Sequence, residues 1–188
     1  DILRLNARIN LICTTRTMRD TEYMEDAYSL ASRLNVQYAD QCCRQLKRWG
    51  CVRTFARSSI SIPSNQPGVS RVVCFKACPV ILALRPGEGR VYIEGLMMFT
   101  MCYTSPDGIY SHCGEVPFEA EALLEGISVG DEIEANAEVE SAICEGTGRD
   151  ISVKFMLDVA LRAYTNVNIH LVTDLKDTAE PNIRNAGI

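Results

Sequence analysis

Cysteine is the most reactive residue type in this chain of 188 residues, which contains nine cysteines. They are Cys13, Cys42, Cys43, Cys51, Cys74, Cys78, Cys102, Cys113 and Cys144. A thiol can act as a nucleophile, a metal ligand or one half of a disulfide. Because the number is odd, pairing within the chain must leave at least one thiol free or available to another chain.

The spacing of these cysteines disfavours both metal binding and catalysis. No Cys-x-x-Cys occurs, and the only histidines are His112 and His170, whereas zinc ligands usually come in closely spaced pairs. On a strand, Cys74 and Cys78 would lie roughly 13 Å apart, too far to share one ion. His112 and Cys113 are adjacent, so a strand would point them to opposite faces. We therefore predict that the protein is not an enzyme and has no cofactor or metal site.

Disulfides between subunits are the remaining use for the thiols, and burial as small unpaired core residues is the alternative. On residues 132–144 the apolar side chains occupy odd positions, which predicts that Cys144 faces solvent. The same parity argument places Cys102 on an outer face. The candidate residues for intersubunit disulfides are Cys13, Cys42, Cys43, Cys102 and Cys144.

Strands are the elements that would carry most of these cysteines. Apolar and polar residues alternate over 132–140 and again over 151–161, the period-2 pattern of a strand with one buried face. Turn signals rich in Gly and Pro recur at 63–68, 85–89, 105–108 and 145–149. The sequence predicts a mainly β fold, an antiparallel β-sandwich or barrel, over residues 51–175.

Residues 1–20, at the N-terminus, are predicted to form a strand-like arm. Four apolar side chains alternate with polar ones and form the candidate docking face: Leu3, Leu5, Ile9 and Leu11. Such an arm either adds a strand to a neighbouring subunit or completes its own sheet. Residues 21–50 space their apolar side chains three to four apart, which predicts a helical connector. Residues 176–188 predict a polar C-terminal tail.

Charge and composition make nucleic acid and membranes unexpected as binding partners. The net charge is −5, the pI is about 5.1 and aromatic residues make up 7%, so a basic, base-stacking surface for nucleic acid is not expected. No run approaches the ~18 apolar residues that a membrane span needs. The basic cluster around Arg44, Lys47 and Arg53 and the acidic row over 132–140 are both interpreted as solvated faces rather than binding sites.

Several segments occur in the order found in a known family. They are 60–73, Gly89–Gly95, Met98–Tyr103, Tyr110–Phe118, 129–140 and 149–153. Together they make residues 52–173 resemble the SPOCS-type domain of spore-forming Firmicutes, as found in the spore-coat morphogenetic protein SipL. The pattern has no catalytic motif, so the resemblance implies no catalytic residue here.

The resemblance implies a role in the spore. The high cysteine content favours a structural subunit that self-assembles, as a homopolymer, into a disulfide-stabilised filament or appendage at the spore surface or outside the cell. The alternative is a morphogenetic binding module that recruits a spore-coat protein.

Overall fold

The computed structural model describes residues 8, 10, 11, 13, 15, 17, 22–30 and 33–177. The strands are β1 (Leu34–Ser61), β2 (Arg71–Gly87), β3 (Arg90–Ser105), β4 (Gly108–Leu123), β5 (Glu132–Thr147) and β6 (Asp150–Asp177). Within these described ranges the chain forms no helix, and hence none that could cross a bilayer. The mainly β prediction is confirmed.

The predicted helical connector is wrong where the structure describes it. Residues 22–30 are irregular, and β1 already begins at Leu34. The apolar side chains that suggested a helix lie on this irregular segment and on the mostly exposed beginning of β1. Here β1 hydrogen-bonds along β6, and this long-range pairing overrides the local helical preference.

The strands form two antiparallel sheets of three strands each, in the orders β1-β6-β5 and β2-β3-β4. Two-residue loops join β2 to β3, β3 to β4 and β5 to β6, at the positions where turns were predicted. Gly89 and Gly148 adopt φ values of 71° and 77° in two of these loops. Glycine reaches this left-handed region without the steric cost that a Cβ imposes.

The chain divides into two compact units, residues 42–168 and residues 1–41 with 169–188. In the larger unit, the inner faces of both sheets share one hydrophobic core. Phe155 of β6 lies 5.6 Å from Phe75 of β2 and 6.3 Å from Phe99 of β3, measured between ring centroids. The two sheets therefore pack face to face, which is the layering of a β-sandwich.

The rims of this larger unit are partly closed. β2 lies close to β5, and Val69 forms an isolated bridge with Gly148. At the other rim, the Thr54 hydroxyl of β1 donates to the Glu119 carbonyl of β4 at 3.0 Å. Pro79 lies in β2, an edge strand of its sheet, where its missing N–H is tolerated.

The smaller unit contains the beginning of β1 and the end of β6. Tyr38 stacks on His170 at 4.8 Å between ring centroids, and Asp40 Oδ1 lies 2.6 Å from His170 Nδ1. The Val172 amide donates to the Met24 carbonyl at 2.8 Å. β6 continues without interruption to Asp177.

The predicted arm and tail fall largely outside the described residues. Leu3, Leu5 and Ile9 are not described, and neither are residues 178–188. Leu11 is 92% exposed and belongs to no strand. Docking of the arm on another subunit stays a prediction.

Candidate functional site

The outer face of the β2-β3-β4 sheet carries four cysteines. Along β3 the side chains at odd positions are buried, so those at even positions, Cys102 among them, point outward. The strand register places the other three on the same face: Cys74, Cys78 and Cys113. We call these four residues the outer thiol surface.

Each member of the outer thiol surface has a different cross-strand neighbour. Cys74 lies directly opposite Cys102, whereas Cys78 lies opposite Met98. Cys113 lies opposite Thr100, with its Sγ 3.4 Å from the Thr100 hydroxyl oxygen. The side chains of Cys74, Cys78 and Cys113 are exposed and that of Cys102 is half-buried.

The sequence predicted the outward position of Cys102 correctly but did not single out its three neighbours. The β2 ladder is interrupted between Val72 and Cys74 and again between Ile81 and Ala83. Each interruption inserts one extra residue, so the side chains that follow it swap between the inner and the outer face of the sheet. The only sequence signal was the even spacing of Cys74 and Cys78, which places the two on one face of a strand.

The prediction that Cys144 faces solvent is wrong. The β5 ladder shifts between Val139 and Ser141, so beyond this bulge the even positions turn inward. Cys144 packs against the core, with its Sγ 3.4 Å from Met101 Sδ. This burial raises the pKa of the Cys144 thiol, and the inward position weighs against Cys144 as a disulfide partner for another subunit.

The remaining cysteines lie toward the N-terminus. Cys13, Cys42 and Cys51 are exposed, and Cys43 is half-buried. Cys42 and Cys43 are consecutive residues of β1, so a regular strand directs them to opposite sides. All nine thiols are free in this structure. Among the described residues, no group of three or more Cys, His, Asp or Glu side chains is arranged to hold a metal ion.

The basic cluster of β1 meets the acidic row of β5 on the β1-β6-β5 sheet. Arg44 contacts Glu132 and Glu134, both at 2.9 Å, and its guanidinium lies 3.7 Å from the centroid of the Tyr164 ring. The hydrogen bond from Arg44 lowers the pKa of Glu134. These charges pair with one another, which fits the solvated-face interpretation.

A second group of ion pairs lies farther along the same strands. Arg53 contacts Asp158 of β6 at 2.7 Å and Glu140 of β5 at 3.0 Å. The hydrogen bond from Arg53 lowers the pKa of Asp158 and raises that of the guanidinium. Exposed pairs of this kind contribute little to stability individually, and these join side chains from all three strands of the sheet.

Comparison with known families gives one match, and it falls on the larger unit. Residues 68–146 match the family model described as SipL, SPOCS domain. The matched segment begins just before β2 and ends near the end of β5, and it covers less than half of the chain. This match supports a SPOCS-type domain in this part of the chain. No curated protein and no solved structure matches the chain.

Proposed function

We propose that this chain is a non-enzymatic structural subunit of the spore surface that assembles with copies of itself into a disulfide-stabilised filament or appendage. The observation that carries this proposal is the exposure of most of the thiols. Six of the nine cysteine side chains are exposed: Cys13, Cys42, Cys51, Cys74, Cys78 and Cys113. The family match supports the association with the spore.

Strands hold most of these thiols at fixed positions, so a cysteine with no thiol opposite it is available to another chain. The bond forms when a thiolate attacks a disulfide oxidant such as oxidised glutathione. A thiolate of a second subunit then displaces the glutathione. Two thiols thereby lose two electrons and two protons, and the oxidant is reduced to two glutathione thiols. Disulfides of this kind persist outside the reducing cytosol.

Exposed apolar side chains lie on the same unit as most of these thiols. Trp49 and Phe55 are exposed on β1, and Leu123 is exposed on β4. Both strands are edges of their sheets. Exposed apolar residues on edge strands favour contact with another chain. The arm residues Leu3, Leu5, Ile9 and Leu11 remain the proposed docking segment.

A denaturing gel run with and without reductant, beside negative-stain micrographs, tests the proposal. Protein oxidised with glutathione disulfide should give a ladder that collapses to the 20.9 kDa chain only when reductant is added. Replacing Cys42, Cys51, Cys78 and Cys113 together with Ser should remove most of the ladder. Cys144→Ser is the matched control and should leave it intact, because that side chain faces the core. A single monomer band in both lanes, without filaments, would refute the proposal.

The second candidate function is a morphogenetic module that recruits a spore-coat protein. The match to the SPOCS domain of SipL is the observation that favours it. A reduced, monodisperse monomer that binds a purified coat protein would support this function over self-assembly. Thiol-blocked protein should bind equally well if recruitment depends on the β surface alone.

A further inference from the structure

We infer that Cys74 and Cys102 form an intrachain disulfide across β2 and β3 when the protein is oxidised. The two residues lie directly opposite each other in the antiparallel ladder, and both belong to the outer thiol surface. The inference assigns a modification site, and it does not depend on whether the protein polymerises.

The strand geometry suits this bond. Residues directly opposite in an antiparallel pair have Cα atoms about 4.5 or 5.5 Å apart. Disulfides span Cα separations of about 4.4–6.8 Å. Both side chains leave the same face of the sheet. Directly opposite Cβ atoms lie about 4.5–5.5 Å apart and a disulfide holds them about 3.5–4.5 Å apart, so the bond requires the two Cβ atoms to approach by about 1 Å.

A bulge in β2 creates the pairing. Val72 lies opposite the buried Tyr103, and the ladder then skips Val73 before Cys74 meets Cys102. In an uninterrupted ladder Val73 would occupy the place opposite Cys102. Cys74 would then lie opposite the buried Met101, pointing into the core. The inserted residue thus turns Cys74 outward, beside its partner.

The other members of the outer thiol surface are too distant to compete within the chain. Cys102 lies opposite Ser111, so Cys113 is its diagonal neighbour. Diagonal neighbours are about 7–8 Å apart, and cysteines more than about 7 Å apart need backbone movement to bond. Cys78 lies on the same strand as Cys74, roughly 13 Å along it.

The exposures of the two thiols set the order of the chemistry. The exposed Cys74 attacks oxidised glutathione, which forms a mixed disulfide and releases one glutathione thiolate. The half-buried Cys102 then attacks the Cys74 sulfur and releases the second glutathione. The two cysteines lose two electrons and two protons, and oxidised glutathione is the oxidant. Cys102 is consequently withdrawn from bonds between subunits.

Peptide mapping of the full-length chain provides the test. Reduced protein at low concentration is treated with oxidised glutathione, alkylated and digested with trypsin and a protease that cuts before aspartate. Cleavage after Lys76 and Arg90 and before Asp107 places Cys74, Cys78, Cys102 and Cys113 on four separate peptides. We expect the Cys74 and Cys102 peptides to be joined in the monomer fraction, with a mass lower by two hydrogens than the sum of the reduced peptides.

Matched variants separate this pair from its neighbours. Cys102→Ser should abolish the joined peptides and leave Cys74 as a glutathione adduct or free thiol. Cys113→Ser and Cys78→Ser should leave the crosslink unchanged, and circular dichroism checks that each variant keeps its β spectrum. The inference is overturned if Cys74 is joined to Cys78 or Cys113, or stays unbridged while other thiols are oxidised. Failure to polymerise would refute the self-assembly proposal but would not alter this map.

Discussion

At the scale of single residues, Asp131 shows how a buried charge is held. Asp131 is only 7% exposed. Its Oδ2 accepts hydrogen bonds from Lys47 Nζ at 2.7 Å and from the Ser128 amide at 2.8 Å. The hydrogen bond from Lys47 lowers the pKa of Asp131, with a further contribution from Ser128 and against the effect of burial. The ionised carboxylate therefore stabilises the folded state.

We expect Asp131→Asn to lower the free energy of unfolding at pH 7 by roughly 1–3 kcal/mol, because it leaves the partly buried donors of Lys47 and Ser128 with a weaker acceptor. The folded-state pKa lies below the unfolded value. The contribution of Asp131 is therefore complete above about pH 4 and is lost as the pH falls through the folded pKa. Urea unfolding at pH 7 and at pH 3 should show a smaller acid loss in the variant. The exposed Glu138→Gln is the control, and an equal acid loss in Asp131→Asn and wild type would contradict the assignment.

At the scale of elements, two glycines on β3 and β4 make room for aromatic rings. Gly95 lies opposite Phe118, and Gly114 lies opposite Phe99. A Cβ built on Gly95 would collide with the Phe118 ring and lie 2.6 Å from the Val80 carbonyl oxygen. A Cβ on Gly114 would lie 2.5 Å from the Phe99 ring. The aromatic side chains thus fold over the glycines and cover the inner face of the sheet.

We expect Gly95→Ala to destabilise the fold by about 1–3 kcal/mol, because both the ring and a backbone oxygen must move. Chemical denaturation measured by the fluorescence of Trp49 and by circular dichroism gives the difference. Gly130→Ala is the matched control, because nothing lies within 4 Å of its added Cβ. Equal stability of the two variants would contradict the expected clash between a Cβ at position 95 and the Phe118 ring.

At the scale of the whole molecule, the β fold and the proposed crosslinks depend on different interactions. The core of residues 42–168 consists of apolar side chains from both sheets, and no disulfide contributes to it. A unit of this length buries enough apolar surface to fold without covalent links. Reduction should therefore separate subunits without unfolding them.

We expect the fully reduced chain to keep its β circular-dichroism spectrum and to unfold cooperatively. The oxidised monomer should be more stable by roughly 3–4 kcal/mol if the Cys74–Cys102 loop is closed, on the chain-entropy estimate for a loop of about this length. Thermal and urea melts with and without reductant measure both quantities. Alkylation of the reduced protein controls for reoxidation. A reduced chain with a disordered spectrum would show that the fold itself requires disulfides.

Local patterns determined much of this protein from the sequence alone. Period-2 alternation and Gly- and Pro-rich turns predicted the β class and the loops between β2, β3 and β4. These features were predictable because alternation and turn chemistry depend on near neighbours in the chain. The outward position of Cys102 followed from the same alternation, since β3 has no interruption at that residue.

Only the tertiary structure decided which residues face each other. Pairing with β6 made a strand of residues 34–50, where the sequence suggested a helix. After the bulges at Val73 and Glu140, each side chain lies on the opposite face from the one that regular alternation predicts. Cys74 therefore lies beside Cys102, and Cys144 points toward the core. A bulge is fixed by the register of the partner strand, which lies far away in sequence, and a local pattern therefore does not reveal it.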